Sequence, residues 1–170
     1  MKTCCAIFGH REINCDNEFL SRLHNYIEML IKKENVKYFI FGSNSKFYGY
    51  CWKVIEDLKQ TYPTIKTIVI DCSREHSLNK NDLNNFSSKS KILYYDEVIK
   101  MENNSGKYSY INRNYKMIDM CDVALFYYDK NYEPKTKTKS GTGIAYKYAL
   151  QKNKRIYNFF NPLTQEYNQH

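Results

Sequence analysis

Apolar runs rich in β-branched and aromatic residues recur at 4–8, 36–41, 65–70 and 123–127, and amphipathic stretches separate them. This alternation constrains the fold more than any other feature of the chain. Strands buried on both faces read as continuous apolar runs, and parallel neighbours need a long crossover, usually a helix. After Asp16, a good N-cap, Phe19, Leu20, Leu23, Ile27, Leu30 and Ile31 recur at three- and four-residue steps, which predicts a helix. Cys51, Trp52, Ile55 and Leu58 mark a second helix over 49–60. Further helices are predicted over 110–120 and 141–151, and a last strand over 155–160. Residues 92–95 read as a fourth strand followed by a short helical turn over 96–102. The polar stretches 72–91 and 129–140 read as loops. The expected architecture is a single α/β domain over 1–170, Rossmann-like and three-layered, with a mostly parallel sheet and helices on both faces.

Composition bounds the function classes. Aromatic residues make up 16% and charged residues 26% of the 170, too aromatic for a disordered chain. No apolar stretch approaches the length of a membrane span. The amino terminus reads as a first strand and not as a signal peptide, so a cytoplasmic location is expected. The six cysteines show no CxxC or Cys/His ligand spacing, so reduced thiols and no metal are expected. The net charge of +8 is that of 21 Lys and 5 Arg against 18 acidic residues, with the lysines scattered except at Lys135, Lys137 and Lys139. A nucleic-acid surface usually clusters its cations and favours Arg, so a nucleic-acid partner is not favoured.

In parallel α/β folds, ligands bind at the carboxyl ends of the strands, so the residues that follow each strand matter most. The first strand is followed by Gly9-His10-Arg11. Glycine permits close approach, and Arg11 can grip a phosphate through two donors. His10 can donate to the same group or stack on a base. The plain alternative is a capped turn. The second strand is followed by Gly42-Ser43-Asn44-Ser45, which suits an anion at a helix start or an ordinary turn. The richest segment holds Arg113 and Asn114 on a helix, then a strand, then Ser140-Gly141-Thr142-Gly143 opening another helix. That helix start can cradle a phosphate with backbone amides, or it can simply be a capped helix. Its spacing is neither that of a P-loop nor that of a dinucleotide fingerprint.

With Phe8-Gly9-His10-Arg11, Phe41-Gly42-Ser43, and Arg113-x-x-x-Met117 followed by Asp122 and Ser140-Gly141-Thr142, nearly the whole chain resembles the SLOG superfamily of Smf/DprA and Lonely Guy proteins. It is most similar to small standalone bacterial and phage members. The resemblance implies binding of nucleotides or nucleotide-derived ligands, as a sensor in some members, including those of anti-phage defence, and as a nucleoside monophosphate hydrolase in others. It also implies a homo-oligomer. Arg113 matches the helix arginine of Lonely Guy enzymes, and Gly141-Thr142 matches their Gly-Thr. Ala145 stands where those enzymes carry the catalytic Glu, and a longer loop from Asp129 to Ser140 replaces their Pro-Gly-Gly. The expected role is therefore a ligand binder with no catalytic residue and no cofactor. Its expected partner is a nucleotide-derived small molecule, held by Gly9, His10, Arg11, Gly42, Ser43, Asn44, Arg113, Asn114, Ser140, Gly141, Thr142 and Gly143. The alternatives are an N-glycosidase that uses a carboxylate of the loop, such as Asp129 or Glu133, and a single-stranded nucleic-acid binder.

Overall fold

The structure is a computed structural model that describes residues 3–11, 13–42, 45–72, 95–101, 108–132, 140–161 and, as backbone, 165–166. In chain order it runs β1 (Thr3–Gly9), α1 (Asn17–Lys33), β2 (Val36–Phe41), α2 (Lys46–Leu58), β3 (Lys66–Asp71), β4 (Glu97–Lys100), α3 (Ser109–Met120), β5 (Val123–Tyr127), α4 (Gly141–Gln151), β6 (Arg155–Asn158) and β7 (Gln165–Glu166). One sheet holds the strands in the order β4-β3-β2-β1-β5-β6-β7. Every pairing is parallel except the last, where the two-residue β7 runs antiparallel to β6.

The two-residue period of the strands sorts the core into two layers. Cys5, Ile7, Phe39, Phe41, Val123 and Leu125 pack against α1 and α2. Ala6, Phe8, Ile40, Ala124 and Phe126 pack against α3 and α4. This is the three-layer α/β arrangement that the apolar runs predict.

Local chemistry sets the helix ends. The Asp16 carboxylate accepts from the Phe19 amide at 2.7 Å and starts α1. The Ser45 hydroxyl accepts from the Tyr48 amide at 3.1 Å and starts α2 at Lys46. The apolar stripe alone placed that start three residues later. Asn35 and Asn153, at φ 53° and 52°, lie in the short turns that lead from α1 to β2 and from α4 to β6. Asparagine is among the few residues other than glycine that occupy this left-handed region readily.

The fourth strand lies at Glu97–Lys100, inside the segment expected to be a helical turn; of the expected strand at 92–95, residues 92–94 fall outside the described residues. Tertiary contacts, not local pattern, determine it. Asp96 accepts from the Thr67 amide at 2.7 Å, the Thr67 hydroxyl at 3.0 Å and the Lys59 ammonium at 2.7 Å. Partial burial pushes this carboxyl upward, but these donors outweigh it and hold it below the ordinary carboxylate range. The anchored residue delivers 97–100 to the edge of β3 in register, Ile68 opposite Glu97.

None of the six cysteines is in a disulfide. Burial pushes Cys5 and Cys51 far up and Cys121 up to about 12, so these three stay protonated at neutral pH.

Candidate functional site

From β1 the chain crosses to β2 on one side, while β5 flanks β1 on the other. The strand order thus reverses beside β1, and the carboxyl ends of β1, β2 and β5 border the crevice where open α/β sheets bind ligands. Gly9 closes β1 opposite Tyr127 of β5. Helices that follow parallel strands run back across the sheet, so α3 and α4 begin at this same edge.

Arg113 and Gly42 meet there. Arg113 is 5% exposed. A methyl group added at Gly42 would lie 3.1 Å from Arg113 Nε and 3.2 Å from the Tyr48 hydroxyl. The missing side chain at the end of β2 therefore lets a guanidinium from α3 and a phenol from α2 close over the backbone from opposite faces. The Tyr110 ring lies 5.3 Å from Arg113 Cζ and steadies the cation.

The start of α4 lies beside α3. The Ser140 hydroxyl accepts from the Gly143 amide at 3.3 Å, so the cap itself uses one amide of the expected cradle. Gly141 and Thr142 occupy the first turn ahead of it, where amides have no acceptor within the helix. Gly143 serves packing: a Cβ there would lie 3.3 Å from the Tyr128 hydroxyl. Asn114, 9% exposed, points its Nδ2 at the Gly141 carbonyl at 3.5 Å.

The exit of β5 is fixed by side chains. Asn158 clamps Tyr128 from both sides, accepting from its amide at 3.1 Å and donating to its carbonyl at 2.9 Å. The Asp129 amide donates to His10 Nε2 at 3.0 Å, so the proton of the neutral ring sits on Nδ1. Tyr132 stacks on His10 at 4.0 Å between centroids, and the Asp129 carboxylate accepts from the Asn131 amide at 2.8 Å. His10 is 4% exposed. Burial pushes its pKa below the ordinary value, against the opposing pull of Asp129.

A histidine whose folded pKa is depressed leaves the unfolded chain to take up the proton first, so stability falls as pH drops below about 6.5 toward the folded value. Urea midpoints taken from pH 8 to pH 5 are expected to stay level at first and then decline. His10→Gln, which can still accept from Asp129, is expected to flatten that decline. An unchanged profile in the variant would assign the decline to other groups.

Gly42 and Arg113 therefore stand together, and Asn114 stands with Gly141 at the start of α4 beside Ser140 and Thr142. His10 sits one strand away at the exit of β5. Gly9 faces α2: a Cβ there would meet Phe47 at 2.5 Å, so the close approach expected at this glycine is made by a phenyl ring. Arg11 is exposed, and its carbonyl accepts from the Lys46 amide at 3.3 Å. Ser43 and Asn44 lie outside the described residues. Tyr48, Ser109, Tyr128 and Tyr132 were not singled out from the sequence. Among 17 tyrosines, nothing in spacing distinguishes the three at the strand ends.

Residues 6–161 of the 170 match the model of the YspA SLOG family. The chain belongs to the YspA SLOG family. Among curated proteins no match is found. SLOG membership associates the chain, at a coarse level, with binding or processing of nucleotide-related ligands. Within this SLOG chain Ala145, which the resemblance sets against the Lonely Guy glutamate, is fully buried in the apolar layer between the sheet and α4. Among the described residues no group of His, Cys, Asp and Glu has a metal-binding arrangement, and no helix is long and apolar enough to cross a membrane.

Proposed function

We propose that this protein binds a nucleotide-derived small molecule at the carboxyl edge of its sheet and acts as a sensor or a sequestering module. One observation carries the reading: the Arg113 guanidinium is buried over Gly42, on the helix that also holds Asn114 against the start of α4. The planar fork of donors that Arg113 brings to a strand end matches the geometry of a phosphate. The first-turn amides of α4 add a partial positive charge on the same side. The Tyr132 and Tyr128 rings beside His10 offer flat surfaces for a base.

A screen of thermal stability and native mass against AMP, ADP-ribose, NAD, cyclic nucleotides and inorganic phosphate tests the proposal. The expected result is a shift with at least one nucleotide well beyond that with phosphate alone. No shift with any nucleotide would overturn the reading.

The position of Asp129 favours a second reading. Its carboxylate follows β5 at the crevice, and its amide is held by His10. Glycosidic cleavage needs a carboxylate to stabilise the sugar cation or activate water, and Ala145 supplies none. Release of free base from nucleoside monophosphates by the native protein, lost in Asp129→Asn, would replace the binder by a hydrolase.

A further inference from the structure

The buried face of α3 is divided. Its carboxyl-terminal half is apolar, with Met117 and Ile118, and its amino-terminal half is polar, with Ser109, Arg113 and Asn114. Ser109 is 2% exposed, and among the described residues its hydroxyl has no hydrogen-bond partner; the same holds for Asn114 Oδ1. Natural proteins rarely leave such atoms unmet, and two on one helix, on either side of a buried arginine, mark a place where something else completes them. Ser109 lies one turn before Arg113 on the same stripe. α3 also starts without a capping side chain, although α1, α2 and α4 each have one.

The Asn114 amide has a defined orientation. A carbonyl only accepts, so the Gly141 carbonyl at 3.5 Å faces Nδ2 and leaves Oδ1 as the unmet atom. Oδ1 is an acceptor and repels a phosphate oxygen. The group that satisfies it is a donor and not a phosphate oxygen, and it lies toward the start of α4 from whatever Arg113 holds, because neighbouring residues of a helix point apart and Asn114 faces Gly141 while Arg113 faces Gly42. In a nucleotide the sugar hydroxyls are the neutral donors closest to the phosphate, whereas an exocyclic amine lies at the far end of the molecule.

We infer that Asn114 is a specificity-determining residue that accepts a hydrogen bond from a ribose hydroxyl of a ligand whose phosphate lies on Arg113, with the Ser109 hydroxyl as a second polar contact on the same helix. This deepens the nucleotide reading above and rests on it. It selects ribonucleotides over ligands that lack sugar hydroxyls.

The test has a ligand-free arm and a ligand arm. An atom kept for a ligand costs the empty protein stability, so an apolar replacement of similar size relieves that cost. Asn114→Leu is expected to raise the Tm of the ligand-free protein by about 2–4 °C, and Ser109→Ala is expected to leave it level or raise it. In the ligand arm, native protein is expected to bind 2′,3′-dideoxy-AMP at least about tenfold more weakly than AMP and to bind IMP about as well as AMP. Asn114→Leu is expected to bind AMP and its dideoxy analogue equally weakly. A fall in Tm for both variants would mean that these groups hold the fold, and it would overturn the inference. So would native protein that treats AMP and dideoxy-AMP alike, or that discriminates against IMP instead. If ADP-ribose or NAD binds and AMP does not, the variant is compared on that ligand, and native affinity in Asn114→Leu would overturn the sugar assignment while the nucleotide reading stands. If no nucleotide binds, both fall.

Discussion

Arg113→Ala is expected to weaken a phosphate-bearing ligand by about 1.5–3 kcal/mol, the worth of hydrogen bonds to a charged group, or about 10–150-fold in Kd. The size follows from how little the side chain has to reorganise. Arg113 is buried on its helix, rests over the bare backbone of Gly42 and stacks on Tyr110, so little conformational entropy remains to be lost on binding. Arg113→Lys keeps the charge but loses the planar fork, and it is expected to recover only part of the affinity. Calorimetry with the nucleotide that shifts the native protein most provides the measurement, with circular dichroism to establish that each variant is folded. Native affinity in folded Arg113→Ala would show that the anion lies elsewhere, and Arg11 would be the next cation to test.

The fold was legible because its signals are local. The runs at 4–8, 36–41, 65–70 and 123–127 are apolar on both faces, and only a sheet covered on both sides buries such runs. The misreadings fall where distant partners decide. Glu97–Lys100 has one exposed apolar residue, Val98, among charged ones; it is a strand because Asp96 is tied to Thr67 and Lys59, a link no local pattern encodes. The strand β7 has only two residues and exists only by pairing with β6.

The candidate site was legible where glycines, arginines and caps cluster after strands. Gly42 with Arg113, and Asn114 with Gly141, stand in contact across 71 and 27 positions of sequence. The side chains that surround them were not legible. Tyr48 reaches Gly42 from α2, and Tyr128 reaches Gly143 from the end of β5, and tyrosine is too frequent here to mark either one. Ser109 shows no pattern at all, because its interest lies in the partner it lacks. His10 and Gly9 reveal a different limit. The sequence identifies them as special, but it does not say whether a ligand or the protein itself occupies the space beside them.

For Gly9 the structure answers that question with Phe47, and the consequence is large. A Cβ on Gly9 would stand 2.5 Å from Phe47 Cβ and Cδ1 and 2.6 Å from Cγ. These atoms sit at the root of the side chain, so a rotamer change cannot clear them. The ring has no room to retreat either, since it is fully buried with Tyr127 at 5.3 Å and Phe159 at 6.4 Å between centroids. Gly9→Ala is therefore expected to destabilise the protein by about 2–3 kcal/mol, the upper part of the usual cost of overpacking, even after the gain from a less flexible unfolded chain. In a protein of this length that is roughly 5–10 °C in Tm. Phe47→Leu alone is also destabilising, because it empties part of the core. The double variant is expected to be more stable than the sum of the two losses, since a smaller neighbour reduces the crowding at the new methyl group. Affinity per folded molecule is expected to be unchanged in Gly9→Ala, because Phe47 and not a ligand lies against that backbone. A loss of affinity without a loss of stability would reverse the assignment and make Gly9 a point of ligand approach.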